Sequence, residues 1–503
     1  MIVPALILAA IAFVPMDDRP VTAQLPVMLG RIAGVTISTP PPSDLGHYLT
    51  PGNADAIGRW LNRASRKREN AAFVVSSDML AYGGLIASRV PGASYAGARS
   101  RLTQLRVTRA LRPDAFVGVF GTVMRLAPTG IPAGTDYFAA YPVWQYLQQY
   151  ANLHDPPLAS EAAEAQRLQS AIPQATFDAY IATRARNLAV DRYLLDMAAS
   201  KTFDRLVLGQ DDAGRFGLHV REVQLLQSLV RDQGLGDRVS IEPGADELGM
   251  SLVAQALARR AHWRPRIAVA YSTPDGAAFQ DPLEFAPVDT TIGQLIALCG
   301  GVRDDAAPDI TLFFRIPGTT AAQDAAFQTA MRDEAGRGRQ VALADLSFLR
   351  SYADQAAFAR GLLDSGLASR LDAYASWNTD ANTVGTALSE AIAAGAGRRA
   401  GTYDGLAHRT FTFVRFLDDY AFHDEVRPDL NAVLESQHVA DHTLLPGAVA
   451  APLSERDRAL LWQRAVSILA QLDPGYHIAA LEIDLPWNRT FETRIDAALA
   501  PNL

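Results

Sequence analysis

A single cysteine, Cys299, in a chain of 503 residues leaves no partner for an internal disulfide. It lies in the apolar stretch LIALCGG, where a thiol is ordinarily buried and inert. No internal apolar run reaches about 18 residues, so the sequence offers no internal membrane span. Basic residues are outnumbered, 46 Lys and Arg against 54 Asp and Glu, and a net charge of −8 lacks the basic footprint of a nucleic-acid binder. There are nine histidines, no HExxH and no paired-cysteine spacing, which argues against a dedicated zinc site. GxGxxG, the P-loop and GxSxG are also missing, so dinucleotide, triphosphate and standard serine-hydrolase chemistry have no motif support. The expected partner is a small-molecule or glycan substrate.

What is present is ordinary globular material, 49% hydrophobic and 20% charged, long enough for two or three domains. The first twelve residues, MIVPALILAAIA, resemble the apolar core of a leader but lack its positively charged start. Cleavage after Ala12 leaves a very short first strand, and both a cytoplasmic and an exported location fit. Ten short apolar runs read as strands: IAFVPMDD, GVTIS, AAFVVSSD, AFVGVFGTVMR, RLVLGQDD, RVSIEPGADE, RIAVAYST, ITLFFRIPG, QVALADLS and LDAYASWNT. Amphipathic stretches such as 53–67, 94–111, 218–232, 246–261, 320–335 and 380–395 alternate with them. Near-continuous apolar strands between helices predict an α/β fold of mostly parallel sheet covered on both faces.

Ten strands exceed an eight-stranded barrel and suit two doubly wound sheets, with a (β/α) barrel-like closure as the alternative. The expected organisation is an N-terminal α/β domain over 1–262, carrying a helical insertion at 134–200. A second α/β domain follows over 263–400, then a mainly helical C-terminal region over 401–503.

Polar residues collect where the strands end. Asp17, Asp18 and Arg19 follow the first strand, Asp78 the third and Arg125 the fourth. Asp211 and Asp212 follow LVLGQ, Asp246 and Glu247 follow SIEPGA, and Trp377, Asn378 and Asn382 lie in ASWNTDANT. Helix caps alone account for single acids at such places. Paired acids beside arginines ask for more, because parallel strands bring their carboxyl ends to one rim. Paired carboxylates serve as general acid and base, flank a glycosidic bond, or hold a hard divalent cation.

The leading expectation is a carbohydrate-active hydrolase, a glycosidase without a required cofactor. Asp211 or Asp212 with Asp246 or Glu247 is its first catalytic pair, and Asp17 and Asp18 are the rivals. Arg19 and Arg125 orient substrate, Trp377 stacks on a sugar face, and Asn378 and Asn382 read hydroxyls. A metal-dependent hydrolase or lyase is the first alternative. In it a divalent cation sits among Asp211, Asp212, His219 and Glu222, the last two at i, i+3 on one helix face. The second alternative is a solute-binding protein that closes on its ligand without turnover. Gly83 and Gly84 allow a close backbone approach by a ligand or a helix.

FVPMDDRPV, SSDMLAYGGLIASR, GTVMRLAP, GQDDAG, PGADELG, YASWNTDANTVGTAL, RFLDDYAFHDEVR and LPWNRTFE together resemble the signature blocks of a bacterial family, domain of unknown function 4127. The blocks span residues 13 to about 492, and Met16 stands where the pattern has leucine. The resemblance implies that the blocks build one site and carries a loose association with carbohydrate use. By matching motifs it adds Arg89 to the substrate-binding candidates above, alongside Asp78.

Overall fold

A computed structural model describes residues 10–128, 137–211, 214–440 and 444–502. Its strands are β1 (Ala10–Val14), β2 (Ile37–Ser38), β3 (Asn70–Ser76), β4 (Phe116–Val123), β5 (Arg205–Gln210), β6 (Val239–Pro243) and β7 (Arg266–Tyr271). They continue with β8 (Val302–Arg303), β9 (Ile310–Arg315), β10 (Gln340–Asp345), β11 (Ala373–Ala375), β12 (Tyr476–Asp484) and β13 (Arg494–Pro501). Strands β1 to β6 form a parallel sheet in the order β2-β1-β3-β4-β5-β6. Strands β7 to β11 form a second parallel sheet, β11-β10-β9-β7-β8. Both sheets are open among the described residues, so the fold is α/β and the barrel-like alternative is not adopted.

The period of two along a strand explains why each run is apolar throughout. Ile11 and Phe13 enter one hydrophobic cluster while Ala12 and Val14 enter another on the opposite face. Ala72 and Val74 alternate with Phe73 and Val75 in the same way. The first cluster continues through Leu252 and Leu388 to Leu312 and Leu343, so one core joins the two sheets. The helices Leu248–Arg260 and Asp380–Ala400, which follow the last strand of each sheet, pack against each other across that junction.

The insertion contains helices Tyr137–Ala151, Ala162–Ala171 and Gln174–Ala199. The C-terminal region carries helices Gly405–Arg415, Arg427–Ser436 and Gly447–Leu472, and then the antiparallel hairpin β12/β13, in a stretch the sequence predicts to be mainly helical. Its strands HIAALEID and RIDAALAP are rich in alanine, a poor strand former, so the local pattern concealed them. No helix of the described residues is long and apolar enough to cross a membrane.

Among the described residues two segments are π-helical: Pro20–Gln24 and Phe416–Val426. Such turns waste backbone geometry and recur at functional sites, where the extra residue redirects side chains.

Candidate functional site

After β1 the chain turns on Asp17. This buried carboxylate accepts hydrogen bonds from the Arg19 N–H (3.1 Å), Arg19 Nε (3.0 Å) and Thr22 Oγ1 (2.5 Å). Pro20 then opens the first π-helical turn, where its missing N–H costs nothing. Arg19 donates through Nη1 and Nη2 to the two oxygens of Asp246, at 3.0 and 2.6 Å. Its guanidinium lies 5.0 Å from the ring centroid of Trp487. Asp18 faces the other way, accepting from Trp487 Nε1 (2.6 Å) and contacting His47 Nδ1 (2.7 Å).

Arg19, Pro20 and Val21 form one wall of a cavity of ≈ 340 Å³. The opposite wall comes from the carboxyl ends of β10 and β11: Phe348 and Leu349 follow one, Ser376, Trp377 and Asn378 the other. The second π-helix supplies Asp418 and His423, and the loop before β13 supplies Phe491, Glu492 and Thr493. Both π-helical segments therefore border the same space.

Its ionisable groups are tuned by burial. Asp418 Oδ2 accepts from Arg415, while Oδ1 is buried without a hydrogen bond, 3.7 Å from His423 Nε2. Desolvation raises the Asp418 carboxyl above its ordinary range against the pull of Arg415. Glu492 accepts from Arg489 Nη2 at 3.0 Å, and burial raises it too, opposed by Arg19 and Arg489. Burial, reinforced by Arg427 and Arg415, drives His423 well below its usual value, toward its neutral form. Gln355 Nε2 ties the wall together, donating to Ser376 Oγ (2.6 Å), the Ser376 carbonyl (3.0 Å) and the Asp419 carbonyl (2.8 Å).

Of the residues singled out from sequence, Arg19, Trp377 and Asn378 line this cavity. Asp17 and Asp246 stand behind Arg19 and hold it. Trp377 is mostly buried, its Nε1 donating to Thr386 Oγ1 at 3.1 Å. Asn378, at φ +60°, donates to Asn382 Oδ1 (2.6 Å), and Asn382 Nδ2 donates to Glu247 Oε2 (2.6 Å). That relay runs from the cavity wall to a carboxyl that burial pushes up to about 8. Glu284 lies near Glu247, and Asp380 lies near Glu284. Burial raises Glu284 well above its ordinary range and Asp380 to about 8, and neighbouring carboxylates reinforce both shifts.

The remaining candidates form a separate group at the ends of β3, β4 and β5, and none of them lines the cavity. Asp78 accepts from Thr122 Oγ1 at 2.9 Å, and desolvation raises it to about 6 despite Thr122 and Arg89. Arg89 pairs with Asp211. Arg125 Nε donates to the Ala127 carbonyl at 3.2 Å. Asp212 lies outside the described residues. Glu222 is taken by Arg184 through two bonds of 2.9 and 2.5 Å, and burial, then Arg184, lowers the enclosed His219 to about 4. Among the described residues no group of three or more His, Cys, Asp or Glu is arranged to hold a metal ion.

The close approach at Gly83 and Gly84 is made by the chain itself. Gly83 has φ +92°, its carbonyl accepts from the Gly52 N–H at 2.8 Å, and a Cβ on it would stand 2.5 Å from the Gly52 oxygen.

Asp418, His423, Arg427 and Glu492 were missed as individual residues. Their signal was nevertheless present in the acid-rich RFLDDYAFHDEVR and in LPWNRTFE, both with an aromatic at every few positions. No curated protein and no solved structure matches the chain. A family model described as "Protein of unknown function (DUF4127)" matches residues 11–496, nearly the whole length, and the chain belongs to that family.

Proposed function

We propose that this protein is a carbohydrate-active hydrolase, a glycosidase that works in the cavity between the two sheets. The observation that carries the reading is the composition of that space. Two carboxyl side chains, Asp418 and Glu492, share it with the rings of Phe348, Tyr352, Trp377 and Phe491 and with the polar groups of Gln355, Ser376, Asn378 and Thr493. Aromatic faces take the apolar face of a sugar while amides and hydroxyls take its hydroxyl groups. Two carboxyls supply the chemistry of glycosidic cleavage. Glu492, held toward its protonated form, gives its proton to the leaving oxygen as the C–O bond breaks. Asp418 takes a proton from a water whose oxygen bonds to the anomeric carbon, and the proton it gains returns through solvent to Glu492.

The test is turnover of a panel of aryl glycosides and cell-wall glycan fragments, with and without chelator. Wild type is run beside Glu492→Gln, Asp418→Asn and Asp211→Asn. The expected result is chelator-insensitive hydrolysis that Asp418→Asn abolishes, that Glu492→Gln lowers roughly a hundredfold or more on the glycan fragments, and that Asp211→Asn retains. Loss in Asp211→Asn alone moves the chemistry to the ends of β3 to β5. Chelator-sensitive turnover points to a metal-dependent hydrolase or lyase. No turnover, with a glycan still raising the melting temperature, makes the protein a solute binder.

A further inference from the structure

Four arginines stand at or beside the cavity, and three of them are paired with acidic side chains of the protein. Arg19 is held by Asp17 and Asp246, Arg415 by Asp418 with Asp419 at 3.5 Å, and Arg489 by Glu492. Arg427 is different. It lines the cavity at the point where the second π-helix passes into the helix Arg427–Ser436. Its guanidinium lies 5.2 Å from the Phe491 ring centroid, and Nη1 stands 3.5 Å from His423 Nδ1. Among the described residues no carboxylate lies within ion-pairing distance of it, and burial holds the imidazole beside it toward its neutral form.

A guanidinium kept beside an aromatic ring is already oriented, and its planar fork matches a carboxylate, sulfate or phosphate. An arginine with no acidic partner in a walled space is therefore equipped to receive an anion from outside. We propose that the sugar bound in this cavity carries an anionic group and that Arg427 binds it, an inference that rests on the glycosidase reading for its sugar and on Arg427 for its charge.

The experiment compares aryl glycosides of a neutral sugar with the matching uronide, 6-phosphate and 6-sulfate. Thermal shifts are read in parallel with glucose, glucuronate, glucose 6-phosphate and glucose 6-sulfate. Wild type, Arg427→Gln and Arg427→Lys are measured. A hydrogen bond to a charged group is worth enough to give one anionic series roughly a tenfold to hundredfold advantage in kcat/KM over the neutral one. Arg427→Gln is expected to erase that preference and Arg427→Lys to restore part of it, and the preferred series names the anion. Equal handling of neutral and anionic sugars by wild type overturns the inference while leaving the glycosidase reading intact. Anionic sugars that raise the melting temperature of wild type but not of Arg427→Gln, with no glycoside turned over, support the inference and overturn the hydrolase. Neither turnover nor any shift overturns both. Wild-type selectivity is read without a variant, so poor folding of Arg427→Gln does not shield the proposal.

Discussion

Arg19 and Asp246 stand 227 positions apart in sequence and share two hydrogen bonds of 3.0 and 2.6 Å. One follows β1 and the other follows β6, so the pair spans the first sheet along its carboxyl edge. With Asp17 it fixes a guanidinium that forms a wall of the cavity.

Replacing Asp246 by Asn is therefore expected to cost stability as well as activity. Arg19 is 5% exposed, and an arginine left buried with half its compensation is expensive. Breaking a buried ion pair costs about 3–5 kcal/mol, and the surviving amide oxygen places Asp246→Asn near the lower end. Urea denaturation measures the loss. A fall under about 0.5 kcal/mol would mean that the pair is solvated and that the wall does not depend on it.

Activity should separate the two carboxyl groups of the cavity from those at the ends of β3 to β5. A positioned general acid contributes roughly 10²–10⁴-fold, so Glu492→Gln is expected to lower kcat by at least that lower figure. Leaving groups that need no protonation should be affected least. A uniform loss across leaving groups would assign Glu492 a positioning role through Arg489 and Arg19.

Buried acids give the fold a dependence on pH. Glu247 is raised from 4.5 to about 8 and Asp380 from 3.8 to about 8, chiefly by desolvation. Between these limits the unfolded chain has released protons that the folded protein still holds. Stability contributed by these groups is consequently full below about pH 4 and falls as pH rises toward 8. Each group adds up to about 1.4 kcal/mol per pH unit to that slope. His408 acts in the same direction: its folded value is raised to about 9, so its contribution is present below 6.5 and lost as pH climbs through 9. Glu247→Gln should flatten the profile between pH 5 and 8, as read from unfolding midpoints at constant ionic strength. An unchanged slope would show that Glu247 is ionised in the fold.

Gly83→Ala is expected to destabilise by more than about 2 kcal/mol. The left-handed backbone alone costs a side chain about 1–2 kcal/mol, and the new methyl meets the Gly52 carbonyl at 2.5 Å. Because that contact lies within the chain, the melting temperature should fall in the ligand-free protein. A loss of ligand binding at unchanged stability would return this turn to the site.

Much of this molecule was legible locally. Runs such as AAFVVSS and FVGVFGTV bury both faces, so their apolar character is continuous and announces a parallel strand from adjacent residues alone. The charged ends of those strands follow from the same rule, since helix starts and ligand rims both lie there. The hairpin was hidden because ALEID and DAALAP draw their strand state from pairing with each other, and alanine carries little preference of its own. Asp418 and His423 were hidden for a related reason. FLDDYAFHDEV has the look of an ordinary surface helix, and only packing against the helix Tyr352–Asp364 and the helix Gly447–Leu472 winds it as a π-helix with its acids turned inward. By itself the sequence determined most strands of the two sheets, their mostly parallel arrangement and the polar residues at their ends, because each depends on neighbours a few residues apart. Tertiary structure alone decided which side chains meet, joining Arg19 to Asp246 and bringing Glu492 and Asp418 to one cavity. Such contacts are selected by the shared core and by loop closure over hundreds of residues, and no local pattern encodes them.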